Sequence, residues 1–372
     1  MAAVNEVLLD SLIDHQVNLQ QYSNGVVRKI IAILNRADPD LFAQLTMALE
    51  RLPAESFTVE RLEELLTSIR ALNAAAYAQV GQALTQEMQA LTVYEASFQT
   101  AAMKAAVPFP ATLLVNTVSA EQVFAAVVAR PFQGRLLREW AASLEAGKMQ
   151  RIRDAIRIGY IQGQTVDQMV QRVRGTRKRQ YEDGIIEIDR RNAEAVVRTA
   201  VAHTTAMTRD RFYEANSDLV KMVEWNATLD SRTSDICRIR DGKYYGVLEP
   251  HKPIGHTLPW LGGPGNAHWN CRSVSIPVTK SWEELNGSGI PDFKPSARES
   301  MDGLVPADTK YSDWILKQSA ARQDQILGPT RGKLMREGKL TLDKFYNDKG
   351  DYLTLDELKQ REASAFRKAG IQ

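Results

Sequence analysis

The stretch LVKMVEWNATLDSRTSDICRIRDG at residues 219–242 marks the place where the chain stops reading as helix. Its opening, LVKMVEWNATLD, alternates apolar and polar residues through Val220, Met222 and Val223, the pattern of a half-buried strand. RSVSIPV at 272–278 alternates again around Val274, Ile276 and Val278. Between the two runs, Pro250, Pro253, Pro259 and Pro264 with Gly255, Gly262, Gly263 and Gly265 preclude regular structure. Two or three short strands are therefore expected to clamp a long irregular loop. A connection of that length inside a folded domain is usually functional, metal-tied or ordered by a partner.

Outward from this stretch the chain is helical. Residues 1–107 contain only Pro39 and Pro53, and apolar residues recur at steps of three and four. Asp38 is expected to cap a helix that opens at Pro39. From Thr58 to Val107 there is no proline and one glycine, Gly81, while Leu62, Leu65, Ile69, Leu72, Ala76, Val80, Leu84, Met88, Leu91, Tyr94 and Phe98 trace one stripe. So long a rod, on the order of 75 Å at 1.5 Å per residue, predicts a hairpin on its own chain, a kink near Gly81 or a partner helix from another subunit. Pro108, Pro110 and Pro131 punctuate a connection, after which 132–215 is helical again. Thr165 and Gln168 form a capping box opening a helix to about Val173, and a second helix is expected from about Arg190 to Asn216.

After Pro277 the chain is mixed and polar, with short helices expected at Ser281–Leu285, Thr309–Leu327, Arg331–Glu337 and Thr354–Lys368. The fold class is mainly α with a small α+β module. Four segments follow: a helical N-terminal arm or hairpin (1–110), a helical middle with a basic patch (111–218), the small α+β Cys/His module (219–280) and a mixed, mainly helical C-terminal region (281–372).

Composition bounds the function. A chain of 372 residues, 44% hydrophobic and 25% charged, is an ordinary globular one. Its 47 basic and 45 acidic residues leave +2, so no global field draws it onto nucleic acid or an acidic membrane. The charge is unevenly spread: residues 1–130 carry −5, 131–215 carry +5, and 148–179 alone carries +7. Arg151, Arg153, Arg157, Arg172, Arg174, Arg177, Lys178 and Arg179 of that patch, with Lys148, are either a solvated helix face or a contact for DNA or an acidic protein surface. No run approaches the roughly 18 apolar residues of a membrane span. The opening MAAVNEVLLDSLIDH is acidic where a signal peptide is basic, which predicts cytosolic synthesis.

The chemistry concentrates in one window. Both cysteines, Cys237 and Cys271, and three of the five histidines lie within residues 237–271. Cys237, His268 and Cys271 supply three of four tetrahedral positions for zinc, with His256 or His251 as the fourth. A structural zinc would fix a loop too poor in apolar residues to hold itself. A packed or hydrogen-bonded Cys/His cluster fits the same residues, and so does a disulfide, which cytosolic assembly disfavours. A Cys–His nucleophile oriented by Asp230, Asp235 or Asp241 is not distinguished from these by sequence. Against catalysis, the chain has no GxSxG, P-loop, GxGxxG or HExxH motif, and His268-Trp269-Asn270 lacks the acid of the zinc deaminases. Gly262-Gly263-Pro264-Gly265 has no flanking strand and helix to make a phosphate cradle. No enzymatic role is expected.

Trp225, the run Leu229-Asp230-Ser231-Arg232-Thr233-Ser234, Cys237, Arg240-Asp241-Gly242 and Ala267-His268-Trp269-Asn270-Cys271-Arg272-Ser273 together resemble the signature of the phage head morphogenesis proteins, the minor capsid proteins of the phage Mu F type. That signature is an Asp-x-Arg-Thr turn, a Cys, an Asp-Gly and a proline-rich loop leading to His-x-x-Cys-Arg. Ala200 stands where the family's Arg-Thr-Glu helix has its acid, after Arg198-Thr199. Ser234 stands where members often carry the first Cys of Cys-x-x-Cys. Tyr311–Leu316, QDQILGPTRG at 323–332 and Lys339–Leu358 resemble the tail of many minor head proteins. The resemblance implies a structural virion component acting at or near the portal in head assembly. It is made in the host cytoplasm and carried in the head, with the portal protein, other head proteins and packaged DNA as partners. The alternatives are a toxin-like or hydrolytic effector, since modules of this family are sometimes attached to toxin domains, and an assembly factor that never enters the particle.

Overall fold

The computed structural model describes residues 2–52, 58–107, 111–280, 298–306 and 308–371. The helices before the module are α1 (Ala2–Glu50), α2 (Val59–Leu65), α3 (Thr67–Ala106), α4 (Ala120–Ala129), α5 (Leu137–Ile161), α6 (Val166–Arg174) and α7 (Ile185–Ala215). The module follows as β1 (Val220–Asn226), α8 (Asp235–Arg240), β2 (Lys243–Gly246), β3 (Pro253–Ile254) and β4 (Val274–Thr279). A hairpin of β5 (Arg298–Ser300) and β6 (Gly303–Val305) leads into α9 (Tyr311–Leu316), α10 (Ala320–Leu327), α11 (Pro329–Arg336), α12 (Leu355–Arg361) and α13 (Ala363–Lys368). The chain is thus mainly α with a small sheet, as its patterning implies. No described helix is long and apolar enough to cross a membrane.

Several expectations need correction. Pro39 does not open a helix: α1 runs through it, and Asp38 spends its carboxylate on Lys148 Nζ (3.7 Å) and Arg190 Nη2 (2.8 Å) instead of capping. An interior proline costs about 3 kcal/mol, and burial of Leu34, Leu41 and Leu45 on either side of it offsets that cost. The rod from Thr58 breaks not at Gly81 but at Leu66, between α2 and α3. Gly81 lies where a Cβ would come 3.1 Å from the Ala141 Cβ, so its small size serves helix packing. The helix expected from Arg190 starts at Ile185, because Ile185 and Ile186 are buried with Met149 and Ile152. Thr309–Leu327 splits at Ser319, whose hydroxyl caps α10 on the Arg322 N–H, and Thr354–Lys368 splits at Glu362. The helix expected at Ser281–Leu285 lies outside the described residues. The capping box of Thr165 and Gln168 is present as expected.

The chain divides into two units, 1–18 with 93–123 and 205–372, and 19–92 with 124–204. These cut across the four segments expected at 110, 218 and 280, because α1, α3 and α7 each give residues to both units.

In the first unit the sheet order is β3-β2-β1-β4, antiparallel throughout, with Trp225 opposite Lys243 on one side and Ser275 on the other. Four strands replace the two or three expected. Pro277 is tolerated because β4 is an edge strand. Leu8, Met103, Phe212, Tyr213, Trp225, Tyr245 and both cysteines share one core. Glu95 of α3 joins His15 Nε2 of α1 (2.5 Å) to Arg209 Nε of α7 (2.7 Å), all three buried. A second core joins Leu229, Ile239 and Leu258 of the module to Trp314, Leu334, Phe345 and Phe366, so the described C-terminal region packs as part of the module's own support. Gly338 is a close backbone approach in that support, since a Cβ there would lie 2.5 Å from the Leu334 oxygen and 2.8 Å from the Ala365 oxygen. Gly338→Ala should therefore lower Tm by roughly 5 °C, from an overpacking cost on the order of 1–3 kcal/mol. An unchanged melt would show that this approach does not exist in solution.

Candidate functional site

Ser234 opens α8, and its Oγ accepts the Cys237 N–H (3.3 Å), which sets Cys237 one turn in on the same face. His268 and Cys271 come from the turn before β4, closed by the Cys271 N–H on the His268 oxygen (3.3 Å) and by Asn270 at φ 54°. The four side chains converge. Ser234 Oγ lies 2.7 Å and Cys237 Sγ 3.1 Å from His268 Nε2, and the two sulfurs are 3.7 Å apart. His268 Nδ1 faces the Trp269 carbonyl oxygen at 2.8 Å, which leaves Nε2 toward the cluster.

The two thiols are unequal. A hydrogen bond from Cys237 pulls the Cys271 thiol down to about 7 against the opposing effect of burial, and the Gly265 and Ser273 main-chain N–H groups add to it. The same contact with Cys271, followed by burial, pushes Cys237 up. Burial presses His268 down, and its contact with Cys237 outweighs this and raises it. The contact between the sulfurs thus favours ionisation of Cys271 over Cys237.

A zinc ion with thiolates at about 2.3 Å and tetrahedral angles holds its sulfurs about 3.8 Å apart, against the 3.7 Å found. Both cysteines are free thiols. Beside the cluster lies a cavity of about 20 Å³, lined among others by Ser234, Cys237, His268 and Arg272, large enough for one water-sized guest. The donor set thus fits a single small ion. His256 is placed elsewhere: its Nε2 faces the Tyr244 oxygen (2.9 Å) and its Nδ1 accepts the Leu258 N–H (3.2 Å). His251 stacks on Trp260 and groups instead with Glu214 and Glu249. The fourth group at the cluster is the Ser234 hydroxyl, whose i, i+3 spacing from Cys237 is the one sequence signal that could have singled it out.

The motif residues around the cluster are used for construction. Asp241, buried, accepts both guanidinium nitrogens of Arg298 (2.7 and 3.1 Å), the Ala227 N–H (2.7 Å) and the Tyr311 N–H (2.8 Å). Gly242, at φ 70°, donates its N–H to the Trp225 oxygen (2.8 Å). Asp230 binds Arg272 through both oxygens (2.5 and 2.9 Å) and takes the Arg232 N–H (3.0 Å), tying the Asp-x-Arg-Thr turn to the His-x-x-Cys-Arg turn. Burial pushes Asp230 up, but Arg272 and Thr233 outweigh it and hold the carboxyl below its ordinary range. Arg240, fully buried, donates to the Pro259, Ile236 and Lys349 oxygens and lies over the Trp225 ring. No local pattern pairs Arg298 or Tyr311 with Asp241, which is 57 and 70 positions away. Among the motif residues, Arg232, Trp269 and Asn270 are exposed.

The basic patch lies in the second unit and is not one face. Lys148, Arg151 and Arg190 enclose Asp38 and Asp189 in a largely buried ionic cluster. Burial lowers Lys148 and raises Asp189. Arg153 lies 3.5 Å from Glu63 and 3.6 Å from Asp154, Arg172 donates to Gln164 (2.6 Å), and the Arg174 guanidinium sits 4.6 Å from the centre of the Phe42 ring. Arg157, Arg177, Lys178 and Arg179 are exposed.

The arrangement defines first a class: a small α+β module whose motif carboxylates are each locked on an arginine and on main-chain N–H groups, around a Cys/His cluster. Residues 150–276 match the family model of Phage Mu protein F like protein, and the resemblance of the Trp225-to-Arg272 signature is upheld over that segment. No curated protein and no solved structure matches the chain.

Two outcomes follow for stability. Asp241→Ala strands a buried Arg298 and should cost about 3–5 kcal/mol, read as a fall in the urea midpoint. Asp230, held below its unfolded value of about 3.9, stabilises fully above that pH and loses its contribution as pH falls through the lower folded value. Asp230→Asn should thus melt lower than the parent near neutrality, with the gap closing in acid; a gap independent of pH would sink the assignment.

Proposed function

We propose that this protein is a structural minor head protein of a tailed phage, acting at or near the portal in head assembly and carried in the virion. The family match over residues 150–276 supports the head role. The observation that carries the structural reading is the fate of Asp230 and Asp241: each is saturated by an arginine and main-chain N–H groups, so neither is free to move a proton. In the Cys–His pair, His268 Nδ1 is held by the Trp269 main-chain oxygen, and none of Asp230, Asp235 and Asp241 is bonded to it. The portal protein and other head proteins are the expected partners, with packaged DNA as a further contact.

Within this role the Cys/His cluster would be a zinc site, with Cys237, His268 and Cys271 as ligands and the Ser234 hydroxyl in fourth place. The ion would supply a fixed cross-link between α8 and the turn at 268–271, stiffening a loop rich in proline and glycine. The tests are mass spectrometry of purified virions and metal analysis of the purified chain. The chain should be present in virions, which a non-packaged assembly factor would not be. About one zinc per chain is expected, lost in both Cys237→Ser and Cys271→Ser together with thermal stability. Protein purified without chelators and free of metal would leave the cluster as hydrogen bonding alone.

A further inference from the structure

The second unit contains a loop, GTRKRQYEDG at 175–184, whose construction exceeds what a connection between α6 and α7 requires. Its two glycines pinch the stem. A Cβ on Gly184 would lie 2.4 Å from the Arg174 oxygen and 2.6 Å from the Gly175 nitrogen, and one on Gly175 would lie 2.6 Å from the Tyr181 oxygen. Asp183 closes the stem through both oxygens, taking the Thr176 N–H at 2.7 Å and the Thr176 hydroxyl at 2.8 Å. The Tyr181 N–H reaches the Thr176 oxygen (2.9 Å), and Gln180 and Tyr181 sit at φ 52° and 66°.

The tip of this braced loop holds Arg177, Lys178 and Arg179 on one 3-10 turn, all exposed, with the Tyr181 ring 44% exposed beside them. Lys148, Arg151, Arg153 and Arg190 are committed to carboxylates, whereas the side chains of these three bond to nothing among the described residues. Thr176 holds Asp183 ionised at the stem and Glu182 is exposed, so three cations against two carboxylates leave the loop at +1. A neighbouring cavity of about 640 Å³ sets Asp154 and Asp183 against Arg151 and Arg172, so it has no net charge to attract an anion. The loop does.

We propose that the 175–184 loop is a preformed contact for the phosphate backbone of duplex DNA, with Arg177, Lys178 and Arg179 as the cations and Tyr181 packing on the sugar edge. Successive side chains on a 3-10 turn fan out about 120° apart. Such a fan suits a groove flanked by phosphates on both sides better than the single charged face of an acidic helix. The braced stem spares the ordering cost that a flexible basic tail would bear on binding. This inference deepens the reading of the chain as a head protein that meets packaged DNA and rests on it.

The test uses the full chain and a short random-sequence duplex, followed by fluorescence anisotropy across a salt series. The parent should bind at low salt. The triple variant R177E/K178E/R179E should bind at least about tenfold more weakly, with the slope of log affinity against log salt smaller by about 2.7, the loss of three phosphate contacts. Tyr181→Ala should weaken binding less and leave the slope unchanged. K359E/R367E/K368E makes the same charge change at exposed C-terminal positions and should bind as the parent does. Thermal melts establish that each variant folds, and R177Q/K178Q/R179Q serves if the reversed variant does not. A loop variant that binds like the parent, or a control that loses as much, overturns the loop and leaves the head role standing. Displacement of the duplex by polyglutamate of matched charge at equal concentration assigns the loop to an acidic protein and overturns it too. A parent that binds no DNA at low salt removes the DNA contact itself, while the protein's presence in virions is decided separately.

Discussion

The Asp241 carboxylate is the constraint on which the module depends. It sits at the end of α8, buried, and its four contacts draw together the end of β1, the first strand of the β5–β6 hairpin and the start of α9. A buried carboxylate is tolerated only with its charge matched and its lone pairs filled, and here Arg298 supplies the charge while the Ala227 and Tyr311 N–H groups fill the rest. The Asp230–Arg272 pair ties the Asp-x-Arg-Thr turn to the turn that carries His268 and Cys271. Removal of Asp241 strands the buried Arg298, whereas removal of Asp230 unties the two turns from each other.

Around these two acids the apolar core is secondary in placement but larger in extent. Trp225, Tyr245 and Trp260 pack edge to face beneath the proline-rich loop, and Arg240 pins that loop through the Pro259 oxygen while reaching the Lys349 oxygen. The C-terminal helices are thereby part of the module's foundation. In the other unit, charge is spent differently: Asp38 and Asp189 absorb Lys148, Arg151 and Arg190, so part of a patch that reads as a solvated face is scaffolding, while three of its exposed cations sit together on one braced loop.

Much of this was legible in the sequence. The alternation around Val223 and Ile276, the Thr165–Gln168 capping box and the helical stripes are local patterns, and local patterns are what a sequence displays. Pro39 misleads because its cost of about 3 kcal/mol is overridden by burial contacts made far along the chain. Ser234, standing where the resembled family often has the first Cys of Cys-x-x-Cys, does meet the cluster, and it also caps α8. His256 is the converse case: it has the right chemistry and loop, but its nitrogens are taken by main-chain groups, the Tyr244 oxygen of β2 and the Leu258 N–H.

By itself, the sequence determined the helical class, the position of the small module and the residues from which its cluster is drawn, because periodicity, capping and motif spacing are properties of neighbouring residues. Only the tertiary structure decided which donors meet, which acids find arginines and which cations remain free. Those outcomes depend on contacts such as Asp241 to Arg298 and Asp38 to Arg190, spanning 57 and 152 residues, where burial makes pairing obligatory and no local pattern records the partner.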